Sequence, residues 1–104
     1  MTNKGKLIYL AGIIDGEGHF YTPNTVNGRK EKHIYPRLVI VNTNKELIDW
    51  IKDNFNGSVH CYKSTNSKRK DCYRWTLTGS QVTILAKQLL PYLIVKRYQV
   101  SIVL

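Results

Sequence analysis

Apolar residues near the N-terminus recur at the spacing of a helix. The positions that form this pattern are Leu7, Leu10, Ala11 and Ile14. The pattern predicts a first helix over residues 4–15. The sequence Asp-Gly-Glu-Gly follows, and its two glycines are typical of a helix end because they permit unusual backbone angles.

Segments rich in β-branched and aromatic residues predict two β-hairpins further along the chain. Residues 19–26 contain Thr, Phe and Tyr, and a polar turn leads from them to a partner strand over residues 33–42. The second hairpin joins residues 58–63 to residues 72–78 through a loop of Ser, Thr, Asn and Lys. In both hairpins one side of each strand can face a core while the other meets solvent.

Three more helices are predicted between and after these hairpins. The sequence Thr43-Asn-Lys-Glu46 matches a capping box, in which the threonine caps the backbone and the glutamate reaches back. Gly57 closes the helix that follows. Ser80 can cap a third helix that Pro91 stops, and residues 92–104 predict a last helix.

The predicted order of elements is α-β-β-α-β-β-α-α within a single domain, residues 1–104. Two hairpins beside helices indicate an α+β domain with one antiparallel sheet and the helices on one of its faces. The other face would meet solvent and carry the charged side chains of the hairpins. A two-stranded ribbon fits the major groove of DNA, so this face is a candidate nucleic-acid surface.

The charge of the chain supports a polyanionic partner. Among its 104 residues, 16 Lys and Arg against 7 Asp and Glu give a net charge of +9. Residues 28–37 hold four basic residues and one acid, and residues 63–74 hold five and one. Clustered basic residues favour nucleic acid as the partner. The alternative is a basic surface that is merely solvated.

Several classes of protein are excluded at this stage. No stretch approaches the ~20 apolar residues that span a bilayer, so no membrane association is expected. Asp15 and Glu17 interrupt the apolar N-terminal stretch, which argues against a signal peptide. Two cysteines are too few for a disulfide scaffold or for a zinc site of their own. We therefore expect an intracellular protein.

The end of the first helix carries the candidate chemistry. Gly12 lies inside the predicted helix, where glycine costs about 1 kcal/mol relative to alanine, and together with Ala11 it forms a narrow surface suited to close helix contact. Glu17 lies between two glycines and is sterically open. A carboxylate on such a turn beside a basic surface suits Mg²⁺ that meets a phosphate. An ordinary solvated turn residue is the alternative.

The nine residues Leu10-Ala-Gly-Ile-Ile-Asp-Gly-Glu-Gly18 resemble the signature motif of the LAGLIDADG homing endonucleases. The predicted order of elements also resembles the α-β-β-α-β-β-α core of that family. The segment from Leu90 to Gln99 resembles its later helix-Pro-helix region, so the resemblance covers essentially the whole chain. It implies an α+β fold with a four-stranded antiparallel DNA-binding sheet.

The resemblance also implies roles for individual residues. Glu17, with the neighbouring backbone carbonyl of Gly16, would hold Mg²⁺ or another divalent cation. Lys96 corresponds to a lysine near the scissile phosphate. Asn42 is the nearest match to a polar residue at the end of the second strand, with Asn44 as a competitor. Asp15 matches the motif as a hydrogen-bonding residue at the helix end rather than as a metal ligand.

The single copy of the motif predicts a homodimer, because members of the family with one motif pair across a two-fold axis. The residues that the resemblance places at this interface are Leu10, Ala11, Gly12 and Asp15. The implied activity is metal-dependent hydrolysis of double-stranded DNA at a long, near-palindromic site. A catalytically inactive relative, acting as an RNA-splicing maturase or a DNA-binding regulator, remains the alternative, and a single-stranded nucleic-acid binder is a further one.

The residues predicted to contact DNA belong to the hairpins and their loops. Arginine favours guanine in the major groove, and lysines more often bind phosphate. The predicted set comprises Tyr21, Thr25, Arg29, Lys30, Lys32, Arg37, Lys63, Lys68, Arg69, Lys70 and Arg74.

Overall fold

Four helices and one main sheet form the part of the chain that the structure describes. The computed structural model describes residues 1–21, 25–26, 29–30 and 36–103. The helices are α1 (Asn3–Glu17), α2 (Lys45–Phe55), α3 (Ser80–Leu89) and α4 (Arg97–Val103), and a short 3₁₀ helix (Leu90–Tyr92) follows α3. No helix of the described part is long and apolar enough to cross a membrane.

The main sheet is antiparallel and has four strands. These strands are β1 (Gly18–Tyr21), β4 (Arg37–Asn42), β5 (Ser58–Tyr62) and β6 (Cys72–Thr78), and their order across the sheet is β1-β4-β6-β5. Two shorter strands, β2 (Thr25–Val26) and β3 (Arg29–Lys30), pair with each other in a separate ribbon. The α+β architecture with a four-stranded antiparallel sheet confirms the predicted fold class.

The register of the strands divides the sheet into an inner and an outer face. Phe20 pairs with Leu38, which pairs with Leu77, and all three are buried on the inner face under the helices. On the outer face Tyr21 pairs with Arg37 in the same register. The side chains of one face alternate with those of the other along each strand, so the register fixes which residues belong to the face away from the helices.

The core lies between the inner face of the sheet and the helices. Each of α1, α2 and α3 contributes an apolar stripe, and Leu93 and Val100 close the end near α4. Trp75 is fully buried, and its Nε1 donates to the backbone oxygen of Asn56 at 2.6 Å. Trp75 is therefore a packing residue. Half-buried Trp50 packs edge-on against Tyr9.

Gly18 joins α1 directly to the sheet. Its backbone N–H donates to the carbonyl of Ile14, and a Cβ at this position would lie 2.7 Å from the Cα of Ile14. Because real side chains do not approach a backbone atom this closely, only glycine allows the chain to turn from helix into strand here. The turn sets the direction in which the end of α1 points.

The first helix is longer than predicted, and the predicted cap of α2 is wrong. α1 continues to Glu17, because the turn through Asp15 and Gly16 keeps its helical hydrogen bonding and Gly18 supplies the cap. Asn44, not Thr43, caps α2, since its side-chain oxygen accepts from the N–H of Leu47 at 3.0 Å. The predicted capping box therefore does not form.

The later helices also differ from prediction at their ends. Ser80 lies within α3, and Gly79, with φ of 78°, occupies the cap position without a side-chain hydrogen bond. Pro91 lies within the 3₁₀ helix, as expected for a residue that stops α3. The predicted last helix begins only at Arg97. Of the first predicted hairpin, residues 22–24, 27–28 and 31–35 lie outside the described part.

Replacing Gly18 by alanine should destabilise the protein. The added Cβ forces α1 and β1 apart, and overpacking of this kind costs about 1–3 kcal/mol, or roughly 5–20 °C in Tm for a domain of this size. Gly16→Ala is the matched control, because a Cβ there meets nothing within 4 Å and alanine favours a helix. Equal Tm values for both variants in thermal unfolding would contradict the close contact.

Candidate catalytic site and nucleic-acid interface

The carboxylate of Glu17 and the amide of Asn42 meet at one end of the sheet. Glu17 ends α1, and the next residue, Gly18, pairs with Ile40, two positions before Asn42 at the end of β4. The Nδ2 of Asn42 donates to Oε2 of exposed Glu17 at 2.6 Å. The structure thus brings together two of the three predicted catalytic residues.

Asn42 is itself held in place by the loop that leads into α2. Its Oδ1 accepts from the backbone N–H of Asn44 at 2.7 Å, which leaves Nδ2 directed at Glu17. The side chain of Asn44 is engaged in capping α2. The structure therefore favours Asn42 over Asn44 as the partner of the carboxylate.

Asp15 binds three successive backbone N–H groups of the segment before α4. Its carboxylate accepts from Ile94 at 2.8 Å, from Val95 at 3.0 Å and from Lys96 at 2.9 Å. Slight burial alone would raise the pKa of Asp15, but these donors and the positive charge of Lys96 together lower it below its usual value. The hydrogen-bonding role expected of Asp15 is present, with a distant segment as its partner.

The same contact positions Lys96, the third predicted catalytic residue. Lys96 is half-buried and lies between the 3₁₀ helix and α4. Because Asp15 holds its backbone, Lys96 is brought to the end of α1 that also carries Glu17. Gln99, which the sequence did not single out, strengthens this arrangement by accepting from the N–H of Phe20 at 3.3 Å through its Oε1. No spacing pattern in the sequence marked that contact.

The donor set at Glu17 fits a hard divalent cation shared with a phosphate. The described residues contain no cluster of three or more His, Cys, Asp or Glu side chains that could hold a metal ion. One carboxylate and the backbone carbonyl of exposed Gly16 are available at the helix end. Mg²⁺ commonly keeps several waters and takes one or two carboxylates plus substrate phosphates. The chain therefore offers part of a coordination shell.

A groove of about 450 Å³ runs along α1 and ends at the site. Ile8, Tyr9 and Gly12 line it, and Glu17 and Asn42 lie at its end. Gly12 and Gly16 are open on this side, because a Cβ at either position would meet nothing within 4 Å. Along this groove the exposed side of α1 is thus apolar, and its two glycines place no side chains on the surface.

Part of the predicted dimer interface needs correction. Leu10 and Ala11 are fully buried in the core of the chain itself, so neither has surface left for a partner. Asp15 is occupied by the segment before α4. Of the four predicted interface residues, Gly12 alone faces outward on the groove. Helical spacing located the apolar stripe of α1 but did not show which flank of it pointed inward.

The predicted DNA-binding residues divide between strands and loops. Tyr21, Arg37 and Arg74 lie on the outer face of the sheet, where the guanidinium of Arg37 lies 4.6 Å from the ring centroid of Tyr21. Four of the predicted residues are exposed in the loop between β5 and β6: Lys63, Lys68, Arg69 and Lys70. Thr25, Arg29 and Lys30 belong to β2 and β3, and Lys32 lies outside the described part.

Two further aromatic pairs were missed on the outer face. His19 packs edge-on against Tyr21 with ring centroids 4.5 Å apart, and His60 packs against Tyr62 at 4.4 Å. His60 and Tyr62 alternate with inward-facing residues along β5, so the period of two in that strand could have identified them. The outer face thus presents Tyr, His and Arg side chains.

The chain resembles one family in sequence and several of its solved structures in fold. A model of the LAGLIDADG endonuclease family matches residues 10–101. The homing endonuclease I-CvuI, solved with its target in the presence of 2 mM Ca, superposes with a TM-score of 0.71 at 21% identity, over 94% of this chain and 62% of that one. A second structure of I-CvuI, with an I-CreI target in 2 mM Mg and uncleaved DNA, gives 0.71 at 22% identity over the same shares.

An archaeal intron-encoded homing endonuclease in complex with DNA superposes with a TM-score of 0.69 at 19% identity, over 96% of this chain and 65% of that one. At these identities the likeness establishes the fold. The chain spans less than two thirds of the length of each of these proteins. A comparison with curated proteins finds no match in sequence.

Neutralising Asp15 should lower stability in a pH-dependent way. The pKa of Asp15 is lower in the folded chain than its ordinary value of 3.8, so its contribution is fully present above pH 3.8 and disappears as the pH falls through the folded-state pKa. Asp15→Asn should therefore lower Tm at neutral pH by about 5 °C or more. The difference in Tm between Asp15→Asn and the wild type should become smaller below pH 3.8.

Thermal unfolding of both proteins across this pH range measures this difference. Asp53→Asn, the same change at an exposed acid of α2, is the control and should change Tm little. A difference in Tm that stays constant down to the lowest pH would contradict a stabilising contact between the charged Asp15 carboxylate and the segment before α4.

Proposed function

The chain belongs to the LAGLIDADG endonuclease family, and from that membership we propose that it is a site-specific endonuclease of double-stranded DNA. It would act as a homodimer on a long, near-palindromic site by metal-dependent hydrolysis of phosphodiester bonds. The observation that carries the proposal is the 2.6 Å contact between Glu17 and Asn42. The pair lies where the motif helix ends, beside the sheet whose outer face carries arginine and no acid.

The outer face is suited to a DNA duplex. Across its four strands the side chains on this face are basic, aromatic, hydroxyl-bearing or apolar, and none is acidic. The loop between β5 and β6 adds four exposed basic residues at one end. A sheet surface of this kind can lie in the major groove while the loop contacts phosphates.

The residues at the end of α1 would divide the work of hydrolysis. Glu17 and the carbonyl of Gly16 would hold a divalent cation, which when bound lowers the pKa of water and neutralises charge on the phosphate. Asn42 holds the Glu17 carboxylate in one orientation. Lys96, fixed by Asp15, would place a positive charge beside the phosphate as negative charge develops on it.

A second copy would supply the other half of the enzyme. One chain carries one Glu17, whereas cutting both strands of a duplex requires a site for each strand. The apolar groove beside Gly12 and Gly16 suits the close approach of an identical helix, and it leads directly to Glu17. Pairing there would bring two Glu17 turns together across a two-fold axis, and the target would share that symmetry.

Removing the charge of Glu17 should abolish strand cleavage and leave binding intact. Glu17→Gln keeps the size and hydrogen-bonding capacity of the side chain but removes the carboxylate that would bind the cation. The rate of strand cleavage should therefore fall roughly 10³-fold or more. Lys96→Met should slow cleavage by about 10²–10⁴-fold. Target affinity, measured with Ca²⁺ in place of Mg²⁺, should stay equal or rise, because a negative charge near phosphate is gone.

Cleavage of a selected target by purified protein in Mg²⁺ measures these rates. Glu46→Gln, the same change at an exposed glutamate of α2, is the matched control and should cut at the wild-type rate. Cleavage by Glu17→Gln at the wild-type rate would overturn the assignment. If the wild type bound its target tightly but failed to cut it with any divalent ion, the maturase or regulator alternative would replace the endonuclease.

Enlarging Gly12 should break the dimer without unfolding the protomer. A side chain at Gly12 meets nothing within 4 Å inside the chain, so Gly12→Leu should fold normally yet hold two copies of α1 apart. Light scattering should report half the wild-type mass, and the rate of cleavage should fall because the dimer is lost. Gln88→Leu adds the same side chain to an exposed position of α3 and should stay dimeric. A dimeric, active Gly12→Leu would place the interface elsewhere.

A further inference from the structure

Two arginines are the only charged residues within the four strands of the main sheet. Arg37 begins β4, and Arg74 lies in the middle of β6. Both side chains belong to the outer face, since Arg37 pairs with Tyr21 and Arg74 pairs with Val41 and with His60. Lys63, Lys68, Arg69 and Lys70 lie beyond the strands, in the loop between β5 and β6. Charge on the rigid sheet is therefore confined to two positions.

Arg37 is held in place by stacking and has no acidic partner among the described residues. Its guanidinium lies 4.6 Å from the ring centroid of Tyr21, and the ring is in turn supported by His19. In the described part of the chain the one ion pair within 4.0 Å joins Lys45 to Asp49. A stacked guanidinium keeps its N–H edge free. Arg37 is thus pre-organised to donate two parallel hydrogen bonds.

Arg74 carries a donor that the described residues leave unsatisfied. Its side chain is half-buried at the centre of the sheet, and its covered Nε–H finds no acceptor among the described residues. A covered donor without an acceptor is unfavourable, and an acceptor supplied by a ligand relieves it once the half-buried side chain turns outward and exposes that N–H. Guanine offers O6 and N7 side by side in the major groove, the pair of acceptors that the arginine fork matches best.

The register fixes the separation of the two arginines. Arg74 lies opposite Val41 on the adjacent strand, and Val41 is four residues along β4 from Arg37. At ~3.4 Å per residue and ~4.8 Å between strands, the two positions are about 14 Å apart. With ~3.4 Å per base step, this distance corresponds to about four base pairs when the strands follow the groove.

The position of Glu17 gives the pair a direction. Asn42 ends β4 one residue after Val41 and binds Glu17, so the Arg74 end of this pair lies nearer the candidate cleavage site. Arg37 lies at the opposite end of β4. The two side chains would therefore meet an inner and an outer base pair of the same half-site.

We propose that Arg37 and Arg74 are the specificity-determining residues of the sheet, each contacting a guanine through O6 and N7. The proposal rests on the proposed binding of duplex DNA. Arg74 recognises the guanine nearer the cut, and Arg37 recognises one about four base pairs further out. The four basic residues of the loop between β5 and β6 contact phosphates and carry no sequence preference.

Selection from a random DNA duplex library, in Ca²⁺ so that bound DNA stays intact, tests the assignment. The wild type should select two guanines per half-site about four base pairs apart. Arg74→Lys keeps the charge but loses the fork, and should reduce preference for the inner guanine by about tenfold to hundredfold. Arg37→Lys should do the same at the outer guanine alone.

Two lysine variants separate base recognition from general attraction. Lys68→Ala should weaken binding to all sequences alike and reduce the slope of log K against log salt by about 1, with base preferences unchanged. Lys87→Ala removes an exposed charge from α3, away from the sheet, and should leave both affinity and preferences unchanged. Tm values of the arginine variants, measured in parallel, establish that they fold.

The outcomes distinguish this inference from the proposed endonuclease. If the lysine variants of Arg37 and Arg74 select the same bases as the wild type, or if the affected positions are not about four base pairs apart, the assignment is overturned while DNA cleavage stands. If the wild type selects the two guanines, each arginine variant loses one of them, and yet no site is cut in Mg²⁺, the endonuclease falls and the assignment is supported. If the wild type selects no duplex at all, both are overturned.

Discussion

The Asp15 carboxylate joins the two parts of the chain that carry the candidate catalytic residues. It lies two residues before Glu17 on α1 and accepts from three consecutive backbone N–H groups that end at Lys96. Hydrogen bonds to a charged acceptor are about twice as strong as those between neutral groups. Glu17 and the backbone of Lys96, 79 residues apart in sequence, are therefore held at the same end of α1.

The two sides of α1 have different roles, and the sequence pattern of the helix does not distinguish them. Leu10, Ala11 and Ile14 fill the core of the protomer, while Ile8 and Gly12 remain on the surface. Both sets are apolar, so the apolar residues of α1 are distributed around the helix and do not mark one side of it as the buried one. Helical spacing alone therefore could not assign Ala11 to the inside. The three-dimensional arrangement does, because the sheet covers only one side of the helix.

Features set by alternation and by local chemistry were predictable, and features set by distant contacts were not. The strands β5 and β6 follow directly from the spacing of their apolar residues, and Glu17 stands out because glycines flank it. The choice between Asn42 and Asn44 required the register of β1 against β4, which no local pattern specifies. The tie from Gln99 to β1 likewise joins residues 79 apart, beyond the reach of any sequence window.

The separation of charge within the molecule completes the argument for the outer face as a ligand surface. Apart from the pair at the end of α1, the acids of the described chain are Asp71 in a loop and three residues of α2: Glu46, Asp49 and Asp53. α2 packs on the inner face through Ile48 and Ile51, so its exposed acids lie on the far side of the sheet from Arg37 and Arg74. The two arginines of the sheet and the basic loop between β5 and β6 attract a polyanion to the outer face, where the strands carry no acid to oppose it. Because Glu17 lies at the junction of α1 and β1, at one end of the sheet, a duplex bound along the outer face would reach its carboxylate at that end.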